Sequence, residues 1–97
     1  MKIQPTETLL TGKWISHEGR AVADETCKRI NVLVRSHLRQ LARDASGWKE
    51  LYRDPDDERL WQLTHPQSEL HGGGPVQLRC LTLDEARQEY GDAAVSA

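Results

Sequence analysis

The chain has 97 residues, 37% of them apolar, which suffices for one modest core at the usual ~100–200 residues per domain and excludes a multi-domain enzyme. Thirteen Lys and Arg against fifteen Asp and Glu give a formal charge of −2, so no general basic field exists to hold nucleic acid or an anionic membrane. The apolar runs fall far short of the ~18–20 residues that cross a bilayer, the amino terminus lacks the apolar centre of a signal peptide, and Cys27 and Cys80 have no CxxC spacing, so the expectation is one cytoplasmic domain over 1–97 with frayed ends at 1–8 and 92–97.

In chain order, KWIS (13–16) and RAVA (20–23) are short β-prone stretches whose separation by His17, Glu18 and Gly19 suits a hairpin. From Asp24, a plausible N-cap, Cys27, Ile30, Val34, Leu38 and Leu41 recur every three or four residues and predict one stripe of a long helix. Asp24 to Lys28 and Glu25 to Arg29 have the spacing of stabilising i,i+4 pairs, and Lys28, Arg35, Arg39 and Arg43 fall opposite the stripe. His37 lies near the stripe, where a core histidine bonded to a carbonyl is the commoner role.

Ser46-Gly47 breaks the pattern. GWKELYRDPDDERLWQLTHP then reads as two strands folded about Asp54-Pro55-Asp56-Asp57. With those four residues as the loop, Arg53 faces Glu58, Tyr52 faces Arg59, Glu50 faces Trp61 and Trp48 faces Leu63, which gathers Trp48, Tyr52, Trp61 and Leu63 on one face and leaves Leu51 and Leu60 among polar residues on the other. HPQSELHGGGP (65–75) must be a loop, because two prolines and three successive glycines do not sustain a ladder. Val76, Leu78 and Cys80 alternate with polar residues as in a half-buried strand, and Thr82 with Glu85 forms a capping box opening a short helix that ends near Gly91. The order is ββαβββα: an α+β fold in which a small antiparallel sheet packs against one long and one short helix.

His65, Glu69 and His71 are metal-ligand types in one stretch, and they underlie an alternative reading of the chain as a small metal-dependent hydrolase. Neither His pair has helical i,i+4 spacing, and no cysteine lies near, so no metal site is assigned. Gly72-Gly73-Gly74 matches neither phosphate-loop motif, and Pro75 removes a donor, so a tight structural loop is the better reading. Ser68 lacks the G-x-S-x-G elbow of a nucleophilic serine. No catalytic residue and no cofactor are therefore assigned. Charge is unevenly placed: residues 24–43 carry five basic and two acidic side chains, whereas 50–58 carry five acidic side chains and Arg53. Such bipolarity suits a protein partner, because oppositely charged rims speed encounter and fix orientation.

TETLLTGKW, GW followed by LYRDP, and above all LWQLTHPQSELHGGGP resemble the immunity protein 27 family, small bacterial proteins encoded beside polymorphic toxins; the likeness runs from about Glu7 to Gly91. The resemblance implies inhibition by binding the C-terminal domain of a cognate toxin, with no catalytic residues to carry over and neither nucleic acid nor membrane as partner. For that role the expected partner-binding residues are the acidic tip Asp54, Asp56, Asp57 and Glu58 together with the loop residues Glu69 and His71, placed to occlude the toxin's active-site region.

Overall fold

A computed structural model describes residues 2–66 and 74–96. Ten elements follow one another: β1 (Leu9–Thr11), β2 (Trp14–His17), β3 (Arg20–Ala23), α1 (Glu25–Ser36), β4 (Arg39–Arg43), β5 (Glu50–Arg53), β6 (Leu60–Thr64), β7 (Gln77–Leu81), α2 (Leu83–Tyr90) and α3 (Asp92–Val95). This is the expected class, α+β with antiparallel pairing, but the order is βββαββββαα in place of ββαβββα. β1, β7, β6, β5 and β4 form, in that spatial order, a five-stranded antiparallel sheet, while β2 and β3, among the described residues, pair only with each other.

The β2–β3 hairpin turns at Glu18 and Gly19, whose φ values of 51° and 77° are the two positive angles that a twist-compatible two-residue turn requires. α1 begins where the sequence indicates, with the Asp24 carboxylate accepting the Cys27 N–H at 2.9 Å. Lys28 is the first residue to bond back, to the Asp24 carbonyl at 3.2 Å, so the N–H groups of residues 25–27 would lack intrahelical partners, and the cap satisfies one of them.

The helix is shorter than its periodicity predicts. It stops at Ser36, where the N–H groups of His37 and Leu38 both donate to the Leu33 carbonyl, at 3.0 and 2.8 Å. Leu38 then drops into the core, and Arg39–Arg43 pairs with β5 around a bulge between Gln40 and Ala42. The four-residue basic helix face is thus not formed: Lys28 and Arg35 lie on α1, Arg39 and Arg43 on β4. The paired acids also differ, since Glu25 meets Lys28 at 3.4 Å and Arg29 instead clamps Glu7.

β5 and β6 pair two residues away from the expected register, with Arg53 opposite Leu60, Tyr52 opposite Trp61 and Glu50 opposite Leu63. A shift of two preserves which face each side chain occupies. Tyr52, Trp61 and Leu63 therefore still share a face, and there they pack with Ile30 and Leu33 of α1, with Leu10 and Leu78, and with Ile3. Trp48 does not join them. It precedes β5, is 51% exposed, and meets the His65 ring edge-on at 5.2 Å. The opposite face is a second core: Leu51, Leu60 and Leu81 lie under Ala86 of α2 and Val95 of α3. Two core layers, one on each side of a single sheet, replace the one-sided packing that the polar pattern of that face suggested.

α2 carries the full capping box, with Thr82 N–H to Glu85 Oε1 at 2.9 Å and Glu85 N–H to Thr82 Oγ1 at 3.1 Å. Both segments expected to fray contain anchored residues. Ile3 and Val95 are buried, Arg29 donates twice to Glu7, Arg59 donates to the carbonyls of Gln4 and Glu7, and Arg53 donates to the Val95 carbonyl at 2.6 Å.

Candidate functional site

The acidic turn between β5 and β6 begins at Asp54, whose N–H donates to the Arg59 carbonyl at 2.9 Å and whose carbonyl accepts the Glu58 N–H at 2.8 Å. Its Oδ1 accepts the Asp56 N–H at 2.9 Å, a local side-chain turn that substitutes for a backbone one. Pro55 suits a position with no N–H to satisfy, and Glu58, at φ 65°, turns the chain into β6. Carboxylates and a proline thus set the turn's backbone through short-range bonds.

Asp54 departs from expectation. It is fully buried, whereas Asp56, Asp57 and Glu58 are exposed as the reading of the tip requires. Its Oδ1 lies 3.1 Å from His37 Nε2, and Asp56 Oδ2 lies 3.4 Å from the same nitrogen. His37 is thus not a core histidine held by a carbonyl; it caps α1 and faces two carboxylates. The remaining acids each have a cation nearby. Asp57 sits 2.6 Å from Arg59 Nε, Glu58 3.4 Å from Arg53 Nε, and Asp56 3.9 Å from Lys2 Nζ. Burial by itself would push the Asp57 carboxyl up, but the Arg59 N–H and guanidinium outweigh it and hold Asp57 below its ordinary value. The tip is consequently a compact array of paired charges with three exposed carboxylates, in place of four free ones.

Glu69, His71, Gly72 and Gly73 lie outside the described residues. Of the alternative hydrolase set, only His65 is described: it is half-buried against Trp48, and its Nδ1 is buried with no hydrogen-bond partner among the described residues. Sequence reasoning missed two further features. One is the His37–Asp54–Asp56 convergence, which depends on where α1 ends. The other is the surface that the expected β2–β3 hairpin leaves open: Trp14 and Ile15 are 39% and 50% exposed, and with α1 the hairpin borders an open groove of about 500 Å³ lined in part by Ile15, Val22 and Lys28. The β-prone stretches were visible, but nothing local told whether other elements would cover them.

The sequence model described as Immunity protein 27 matches residues 16–82, more than half of the chain and all of the acidic turn. The chain belongs to the immunity protein 27 family. The matched span takes in LYRDP and LWQLTHPQSELHGGGP but begins after TETLLTGKW. No curated protein and no solved structure matches the chain significantly. Family membership implies an immunity protein directed against a toxin. Among the described residues, no helix is long and apolar enough to cross a membrane.

Proposed function

We propose that this immunity protein neutralises the C-terminal domain of a cognate bacterial toxin by binding it and covering its active-site region, with the β5–β6 turn as the principal contact. Membership of the family carries the first half of this reading. The second half is supported by the exposed carboxylates of Asp56, Asp57 and Glu58, presented on a turn that Asp54 braces through side-chain and backbone hydrogen bonds. A preset turn loses little conformational freedom on binding, which favours affinity without a large contact area. Toxins that act on nucleic acid or on a dinucleotide need basic clefts for phosphates, and carboxylates are complementary to such clefts. Asp54 supports the contact from inside the turn and does not touch the partner. Glu69 and His71, outside the described residues, are proposed as further contacts.

A second reading is favoured by one specific observation, the exposure of Trp14 and Ile15 on a hairpin outside the main sheet. Tryptophan is enriched among residues that dominate binding energy, and two-stranded ribbons offer unpaired edges. Two variants separate the readings: Asp56, Asp57 and Glu58 all to Ser, and Trp14 with Ile15 to Ser. Association rate and dissociation constant are measured against the toxin domain encoded next to the gene. The turn reading predicts slower, less salt-sensitive association for the triple variant, with the fold intact. If that variant protects cells and binds as wild type while the hairpin variant fails, the hairpin is the contact.

A further inference from the structure

We propose that His37, Asp54 and Asp56 form a binding site for a divalent transition cation, with Zn²⁺ the ion that its donor set suits best. The three side chains come from two places in the fold. His37 caps α1, and Asp54 and Asp56 belong to the turn that follows β5. Each offers one ligand atom, and these atoms lie within 4.8 Å of one another. His37 Nε2 stands 3.1 Å from Asp54 Oδ1 and 3.4 Å from Asp56 Oδ2. A tetrahedral zinc with bonds of about 2.0–2.2 Å holds its ligand atoms about 3.3–3.6 Å apart, so two of the three edges already have nearly the required length.

An independent observation points the same way. The Asp54 side chain is 1% exposed, yet its Oδ2 has no hydrogen-bond partner among the described residues. A buried carboxylate with an unused oxygen is costly unless a cation compensates it. A neutral imidazole brings no charge to offset two carboxylates; Lys2, at 3.9 Å, reaches only Asp56, and Arg59, which feels the Asp54 charge, is committed at 2.6 Å to Asp57. A divalent ion beside neutral His37 brings the three-residue set to zero net charge. One imidazole nitrogen with two carboxylate oxygens is a borderline-hard set, suited to zinc and its transition-metal neighbours and poor in oxygens for calcium or magnesium. Asp56 is 46% exposed, so the cluster opens to solvent on its side and leaves room for a further ligand. The bound ion ties the end of α1 to the acidic turn and fixes the presentation of the turn.

The test is a titration of the purified full-length chain, stripped of metal with a chelator, with Zn²⁺ followed by calorimetry and by thermal melting. The expected result is one saturable site per chain of micromolar affinity or tighter, with a higher melting temperature in zinc. Asp56→Asn and His37→Gln should each weaken binding at least tenfold and remove the melting shift. Asp56 is half-exposed, so Asp56→Asn should melt like wild type without metal and decides the matter even where His37→Gln does not fold. Substitution by Co²⁺ should give the absorption of a four-coordinate ion with no thiolate charge-transfer band, which keeps Cys27 and Cys80 out of the site. Absence of saturable binding, or zinc binding by Asp56→Asn as tight as by wild type, overturns the proposal. In the first case His37 meets the two carboxylates without an ion between them; in the second the ion is held elsewhere.

Discussion

Trp61→Ala gives the sharpest test of how the two faces of the sheet are used. Trp61 is fully buried and packs in the core layer that holds Ile30 and Leu33 of α1, Tyr52 opposite it on β5, and Leu63 and Leu78. Truncating a buried Trp to Ala costs about 3–5 kcal/mol, because lost burial is compounded by a cavity that its neighbours fill only in part. The Arg59 guanidinium, 5.0 Å from the ring centroid, adds a cation–π contact worth roughly 0.5–1 kcal/mol. Against this, the indole N–H is buried with no partner among the described residues, so its removal returns about 1–3 kcal/mol of desolvation. The net expectation is a loss of about 2–4 kcal/mol. At about 4–8 °C per kcal/mol for a domain of this size, the melting temperature falls by at least about 8 °C. Urea unfolding followed by far-UV circular dichroism measures the loss without relying on the deleted fluorophore. Trp48→Ala is the internal control: that ring is 51% exposed and outside the sheet, and its loss should cost under about 1 kcal/mol. If Trp61→Ala melts within about 3 °C of wild type, or if Trp48→Ala is the more damaging change, the assignment of faces is wrong.

The amino-terminal clamp predicts a pH dependence. Arg29's hydrogen bonds and the Gln4 N–H hold the Glu7 carboxyl down at about 2, below its ordinary 4.5, so its stabilisation is present above about pH 4.5 and is lost as pH falls towards 2. With the side chain 26% exposed, solvent screening reduces the contribution to about 1–2 kcal/mol; Glu7→Gln should lower stability at neutral pH by that amount and flatten the acid limb, and an unchanged limb would refute the linkage. Gly12→Ala should cost about 1–3 kcal/mol, since a Cβ there would run into Cys27 Sγ and stand 2.7 Å from the Val76 carbonyl oxygen, whose hydrogen bond from the Gly12 N–H keeps the backbones close. A melt indistinguishable from wild type would mean that β1 and the segment before β7 are free to part. Replacing Asp56, Asp57 and Glu58 by Ser should cost no more than about 3 kcal/mol in all by urea unfolding, because exposed ion pairs contribute about 0–1 kcal/mol each; a larger loss would make the turn's pairs structural.

Some of this protein was legible in the order of its residues alone. The Glu18-Gly19 turn, the Asp24 cap, the Thr82 and Glu85 capping box and the alternation of Val76, Leu78 and Cys80 are local: each is settled by groups within about one turn or hairpin of one another. The shared face of Tyr52, Trp61 and Leu63 was legible for a related reason, because strand parity survives a two-residue error in register. The family likeness, too, was carried by short strings such as LYRDP and LWQLTHPQSELHGGGP.

Tertiary structure decided the rest. No Gly or Pro interrupts residues 24–43, so the helical spacing of Leu38 and Leu41 continues on paper past Ser36; pairing with β5 is what draws Arg39–Arg43 into the sheet. Burial of Leu51 and Leu60 among polar neighbours required α2 and α3 to return over that face from the far end of the chain. The candidate site shows the same division. Asp54 looked like one of four equivalent acids, because its burial and its bond to His37 exist only once the end of α1 is set against the end of β5. Likewise, Arg59 and Glu7 are brought together by folding across most of the chain, a contact no local pattern encodes. A residue's own neighbours in sequence determine its conformation and the face it occupies; what covers that face, and which charge meets which, depends on segments whose approach only the complete fold specifies.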